Sequence, residues 1–293
     1  MSTTERRITG HTQVFFIIGD PVSQVRAPEV YNALFARHGI DAVLVPMRVA
    51  AADLAGWVRH TLRAQNVGGL WATIPHKPAL VGLVDRIDPL ARVAGAVNAV
   101  RRCADGSTDG ALFDGIGFVK GLDQAGIPIA GQRALMLGAG GGGQAVAAAL
   151  LSRGIGELAV HNRSRARAEA LVAQLQAEAA VTGSASVIRV ADHNDPGGFG
   201  LVVNCTSQGL KADDPMPVDP ARIDVGAVVV DIIMSREPTP LLRACAERGI
   251  AGHAGFEMLV QQVPEYLRFF GHEALAQTLQ QDLTEVRALL RPR

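Results

Sequence analysis

Two residue patterns in this 293-residue chain could do chemistry: a lysine set just past an apolar run, and a glycine-rich turn followed by arginines. The lysine lies in LWATIPHKPAL, residues 70–80, where Leu70 to Ile74 read as a buried strand. Pro75, which cannot donate to a sheet ladder, ends that run, and Lys77 follows two residues later. A lysine past a strand end is commonly a solvated loop residue. In a desolvated cleft the same group loses basicity and can pass a proton. The stretch alone leaves both readings open.

The second pattern is LMLGAGGGGQAVAAAL, with Gly138, Gly140 and Gly143 in G-x-G-x-x-G register between a strand and a helix. Such glycines make a tight turn, let backbone approach a pyrophosphate and pack helix on strand. Gly138, Ala139, Gly140, Gly141 and Gly142 are therefore candidate dinucleotide contacts. The next strand ends in VHNRSRARAEAL, which offers no Asp or Glu to ribose hydroxyls. It offers Asn162, Arg163, Ser164, Arg165 and Arg167 instead. Guanidinium groups bind phosphate bidentately, which favours the 2′-phosphate of NADP, although a backbone-bound ribose would accept NAD as well.

These residues need elements to hold them. Strand-like and helix-like segments alternate, which predicts an α/β fold with parallel sheets covered by helices. Strands are expected at 14–19, 42–48 and 69–74, with helices near 28–37 and 51–65. AVNAVRR reads as strand-like, and a boundary falls near residue 113. A second series follows: a strand at 133–138, helices at 141–153 and 164–180, and strands at 157–161, 201–204 and 227–231. Residues 256–290 read as two amphipathic helices that pack back on the first domain. The expected division is a first domain of 1–112 with 256–293 and a nucleotide-binding-type domain of 113–255, consistent with a length beyond one core.

Composition narrows the partners. Lys plus Arg and Asp plus Glu each total 28, so no net field recruits nucleic acid or an anionic membrane. A small-molecule substrate is expected, with no nucleic-acid or membrane partner, in a monomer or homodimer. The polar N-terminus lacks an apolar signal segment, which predicts a cytoplasmic protein. Cys103, Cys205 and Cys245 are far apart, without zinc-type spacing, and no metal is expected.

Taken in order, GDPVSQVRAPEVYN, WATIPHK, GAVNAV, FDGIG, GAGGGG, HNRS, NCTSQG and GFEMLVQQ resemble the shikimate dehydrogenase family from residue 14 almost to the end. The resemblance implies an α/β substrate domain plus a Rossmann-type cofactor domain, and NADPH-linked reduction of a ring ketone, 3-dehydroshikimate, in aromatic amino acid biosynthesis; some members act on quinate or use NAD. It implies that Lys77 is the catalytic lysine and Asp114 its partner, both facing the cleft between domains. It implies ring-hydroxyl contacts from Thr73, Asn98 and Gln262. Asn98 could equally be a structural hydrogen-bonding residue. Thr206, Ser207, Ile232, Gly255 and Met258 match the wall that holds the nicotinamide.

The resemblance breaks at the substrate end. Family members acting on shikimate carry His-Ser-x-Ser-Pro, whose hydroxyls bind the substrate carboxylate, and here the stretch is Gln24, Val25, Arg26, Ala27, Pro28. Either Gln24 or Arg26 takes over, or the natural substrate differs there. A family Asn is Trp71, a family Tyr is Met234, and Asn-Thr-Asp is Leu112, Phe113, Asp114. The alternatives are a dehydrogenase for an uncharged or amino-substituted analogue, or a non-catalytic NAD(P)-binding regulator.

Overall fold

The computed structural model describes residues 8–211, 213–234 and 238–290, so the first seven residues of the polar N-terminus lie outside it. Among these, residues 8–113 with 263–290 form one unit and 114–262 another. The second part of the first unit thus starts at 263, not 256. Gly117 explains the difference: a Cβ there would stand 2.2 Å from the Met258 carbonyl oxygen, so the helix at 256–261 packs within the second unit.

The first unit opens with β1 (Gln13–Gly19), α1 (Ala27–Arg37), β2 (Ala42–Arg48), α2 (Leu54–Thr61) and β3 (Val67–Ala72). It continues with α3 (Lys77–Leu80), β4 (Arg86–Ile87), α4 (Pro89–Ala94), β5 (Ala99–Arg102) and β6 (Thr108–Ala111). The strands lie in the order β2-β1-β3-β5-β6-β4. β1 is parallel to β2 and β3, whereas β5 is antiparallel to both β3 and β6. VFFIIG makes a suitable central strand because a parallel strand buried on both faces needs an unbroken apolar run.

The second unit holds α5 (Asp114–Gln124), β7 (Arg133–Leu137), α6 (Gly141–Ser152), β8 (Glu157–His161), α7 (Arg165–Thr182) and β9 (Val187–Val190). Then come β10 (Leu201–Asn204), β11 (Val228–Asp231), α8 (Pro240–Glu247), β12 (Ala251–Ala254) and α9 (Phe256–Gln261). Its sheet is parallel throughout, in the order β12-β11-β10-β7-β8-β9. α10 (Val263–Phe269), α11 (Glu273–Gln281) and α12 (Thr284–Leu290) return to the first unit. The expected pair of late helices is thus four short ones, broken at Gln262, Gly271 and Asp282.

Most of the few aromatic residues gather in the first unit. Trp71 stacks on Tyr266 at 5.5 Å and meets Phe270 at 4.1 Å, Tyr31 at 5.0 Å and Phe15 at 5.3 Å. Such pairs add about 0.5–1.5 kcal/mol each beyond area burial. No helix among the described residues is long and apolar enough to cross a membrane.

Candidate active site

In each sheet the first strand sends its chain to one side and later receives a neighbour on the other. Open α/β sheets bind ligands at the carboxyl ends of strands beside such a reversal. In the first unit it lies between β1 and β3; in the second, between β7 and β10.

At the β7 end, Gly138 adopts φ +102°, and a Cβ there would stand 2.8 Å from the Cys205 carbonyl oxygen. A Cβ at Gly143 would stand 2.1 Å from the Gly138 carbonyl oxygen, so the turn closes only around glycine. Gly140 and Gly141 are different: a Cβ on either meets nothing within 4 Å, and no side chain caps α6 at Gly140. Open space over uncapped helix N–H groups is what a pyrophosphate requires. Gly142 lies beside Ile232, whose Cδ1 is 3.1 Å from where its Cβ would be.

Asn162 joins this turn to the arginine turn. Its Oδ1 accepts from the Ala139 N–H at 3.0 Å, and its Nδ2 donates to the Ser164 carbonyl at 2.9 Å. The Ala139 N–H is therefore committed within the protein. Arg165 is diverted: its guanidinium donates to Glu169 and Asp192, each at 2.8 Å, leaving Arg163 and Arg167 as the exposed cations of this turn.

The wall beside the turn hangs on a polar network that sequence reading missed. The buried Asp231 carboxylate accepts from Asn204 Nδ2 and the Ile233 N–H, each at 3.1 Å, and from Thr239 Oγ1 at 2.8 Å. Asn204 Oδ1 accepts from the Thr206 N–H at 3.0 Å and Thr206 Oγ1 at 2.6 Å. One carboxylate thus ties together the loops after β10 and β11, which carry Thr206, Ser207 and Ile232. Burial pushes Asp231 above the usual carboxylate range, opposed by its hydrogen bonds, and pushes the Cys205 thiol up. The available signal was a polar residue closing each of two apolar strands, VVN and VVD.

The Gly255 N–H donates to the Asp231 carbonyl at 2.7 Å, and a Cβ on Gly255 would strike Ile232 Cα at 2.4 Å. Buried Met258 follows on α9. Asp114, also buried, opens α5, and Gly115 lets that helix seat on α6, since a Cβ there would lie 2.2 Å from the Ala145 carbonyl oxygen. Gln262 ends this unit with its Oε1 buried and without a hydrogen-bond partner among the described residues.

In the first unit Gly19 admits Thr73: a Cβ on Gly19 would lie 2.5 Å from Thr73 Cγ2. Backbone bonds from Thr73 to Ile18 (2.9 Å) and from Asp20 to Ile74 (3.0 Å) join the two loops at the reversal. Lys77, half-buried, begins α3, and its carbonyl accepts the Val97 N–H at 2.9 Å. Asn98 is fully buried; its Oδ1 accepts the Phe113 N–H at 3.1 Å, while its Nδ2 has no partner among the described residues. One half of the amide is structural and the other presents an open donor.

Two expected substrate contacts are spent elsewhere. Arg26 donates to the carbonyls of Leu290 at 2.6 Å and Leu289 at 3.1 Å, and Gln24 Nε2 donates to the Pro21 carbonyl at 3.1 Å. Both point into their own chain because bare carbonyls at a helix end and a turn attract the nearest donors. Among the described residues no cluster of His, Cys, Asp or Glu could hold a metal ion.

Comparison with known proteins agrees with this layout. Residues 17–100 match the shikimate dehydrogenase substrate binding domain, and residues 122–195 match shikimate / quinate 5-dehydrogenase. A shikimate dehydrogenase (NADP(+)) of Rubrobacter xylanophilus is 39% identical over 89% of this chain and 92% of its own. The structure of a Listeria monocytogenes shikimate 5-dehydrogenase in complex with shikimate and NAD is similar with a TM-score of 0.84 and 25% identity, covering 94% of this chain and 98% of that one. A 5-ketofructose reductase of Gluconobacter is similar with a TM-score of 0.81 and 26% identity, covering 93% and 99%.

Proposed function

The chain belongs to the shikimate dehydrogenase family, and on that premise we propose that it interconverts a ring alcohol, such as shikimate or quinate, and its ketone with NADP. NAD is the alternative cofactor, as in the Listeria complex. The observation that carries the reading is the open, uncapped space over Gly140 and Gly141, beside a turn exposing Arg163 and Arg167 and no acid. That combination fits a dinucleotide with a 2′-phosphate.

Bound NADP supplies or accepts the hydride. The protein's share is to orient the ring and move one proton at the carbinol oxygen. Lys77 is assigned that transfer and Asp114 the role of its partner, since a lysine ammonium can donate a proton to an alkoxide and the amine left behind can take one back in the reverse direction. Thr73, Asn98 and Gln262 are assigned to ring hydroxyls; the unpaired Asn98 Nδ2 donor and Gln262 Oε1 acceptor support that role. Thr206, Ser207, Ile232, Gly255 and Met258 are assigned to the nicotinamide side. The enzyme is assigned to the cytoplasm, as a monomer or homodimer without nucleic-acid or membrane partners.

Lys77→Ala tests the assignment. Turnover of the ring alcohol should fall by about 10²- to 10⁴-fold, while NADP⁺ affinity, measured by fluorescence titration, stays within about threefold. Lost cofactor binding with chemistry retained would put Lys77 in a different role.

A further inference from the structure

The reversal between β1 and β3 is bounded on one side by the loop that runs from Gly19 into α1. A carboxylated ring seated there needs donors from this loop, because a desolvated anion without hydrogen bonds is strongly disfavoured. Three of the donors nearest α1 are already engaged, and exposed Ser23 lies further back in the loop. Arg26 is turned onto the carbonyls of Leu289 and Leu290, with Glu29 at 3.8 Å. Gln24 is on the Pro21 carbonyl, and the Val25 N–H is on Val22.

The remaining features also oppose an anion. Val25 and Ala27 have no side-chain donor. Asp20 brings a carboxylate of its own, paired with Arg48 at 2.7 Å, so that neighbouring cation is neutralised too. The N-terminus of α1, which could attract an anion, has Pro28 without an N–H and Glu29 in its first turn. At the β3 end, Thr73 and the unpaired Asn98 amide donor can meet the hydroxyl or carbonyl oxygens of a ring.

We propose that the substrate is a polyhydroxylated ring alcohol or ketone that is electrically neutral at the end facing the β1–α1 loop, with Val25 and Ala27 setting that preference. This rests on the reading of the chain as an NADP-linked oxidoreductase of ring alcohols. Shikimate and its methyl ester share the ring and its hydroxyls and differ only at the carboxyl, charged in one and methylated and neutral in the other; they serve as the probe pair.

With wild-type enzyme and NADP⁺, kcat/KM for the ester should exceed that for the acid by at least about tenfold. The double variant Val25→Ser with Ala27→Ser should shift the ratio of kcat/KM for acid over ester toward the acid by about tenfold or more. Preference of the wild type for the acid overturns the neutral-substrate inference while leaving the oxidoreductase reading intact. The same pair compared by calorimetry with NADP⁺ present ranks the ligands without any variant and without turnover, and tighter binding of the acid is again decisive against. If neither is turned over or bound, the oxidoreductase reading fails together with the inference.

Discussion

His272 is a histidine packed as though it were an aromatic hydrocarbon. Its ring lies 5.4 Å from Phe35 and 5.9 Å from Phe15, and its Nε2 is buried without a partner among the described residues. Burial holds it below the ordinary histidine value, and burial does the same to His253, there opposed by Glu257. A folded-state value below the unfolded one means that the unfolded chain binds protons first as pH falls. The stability these neutral rings provide is therefore complete above about pH 6.5 and lost progressively below it. His272→Phe should flatten the fall in urea midpoint between about pH 7 and 5, leaving the share due to His253. An unchanged pH profile would mean that the ring is already solvated. Such neighbours are beyond sequence reading, as are the carbonyl that Arg26 reaches and the Asp192 partner of Arg165, because they lie 264 and 27 residues away along the chain.

Glycine positions in one turn divide into two kinds at the level of the element. Gly143 is needed so that α6 can touch the end of β7, whereas a methyl on Gly140 would enter open space. Gly143→Ala should lower the unfolding free energy by about 1–3 kcal/mol, as overpacking does. Gly140→Ala should leave the melting temperature nearly unchanged and weaken NADP⁺ binding at least about tenfold by occupying the phosphate space. Thermal melts with and without cofactor check both, and equal effects would remove the distinction. The spacing of these glycines was legible because their register and flanking apolar runs are local. TDGA, RI and AGHA, which form β6, β4 and β12, were not legible, because short strands with few apolar side chains owe their pairing to neighbours. α8 carries a local signal, with Thr239 capping it and Pro240 opening it.

On the scale of the whole molecule, ligand binding shows up as stability. A cofactor that binds only the folded chain adds about 2.7 kcal/mol at a concentration 100 times its Kd. At equal concentration NADP⁺ should therefore raise the melting temperature more than NAD⁺, and Arg163→Ala should narrow that gap. A larger shift with NAD⁺ in the wild type would assign the arginine turn to something other than a 2′-phosphate. The alternating pattern made two α/β units legible, because buried parallel strands need unbroken apolar runs; the antiparallel pairing of β5 with β3 and β6 left no such local mark. Where the second unit ends was not legible, because it turns on how closely Gly117 lets α9 approach α5.

The grip of Arg26 on α12 gives the tail of the chain a say in what the front of it can bind. The carbonyls of Leu289 and Leu290 keep a guanidinium facing inward. A protein trimmed of its last helix would return those nitrogens to water beside the β1–α1 loop, and a bystander arginine would become a clamp for acids. Versions shortened at that end are therefore a poor guide to what this chain binds.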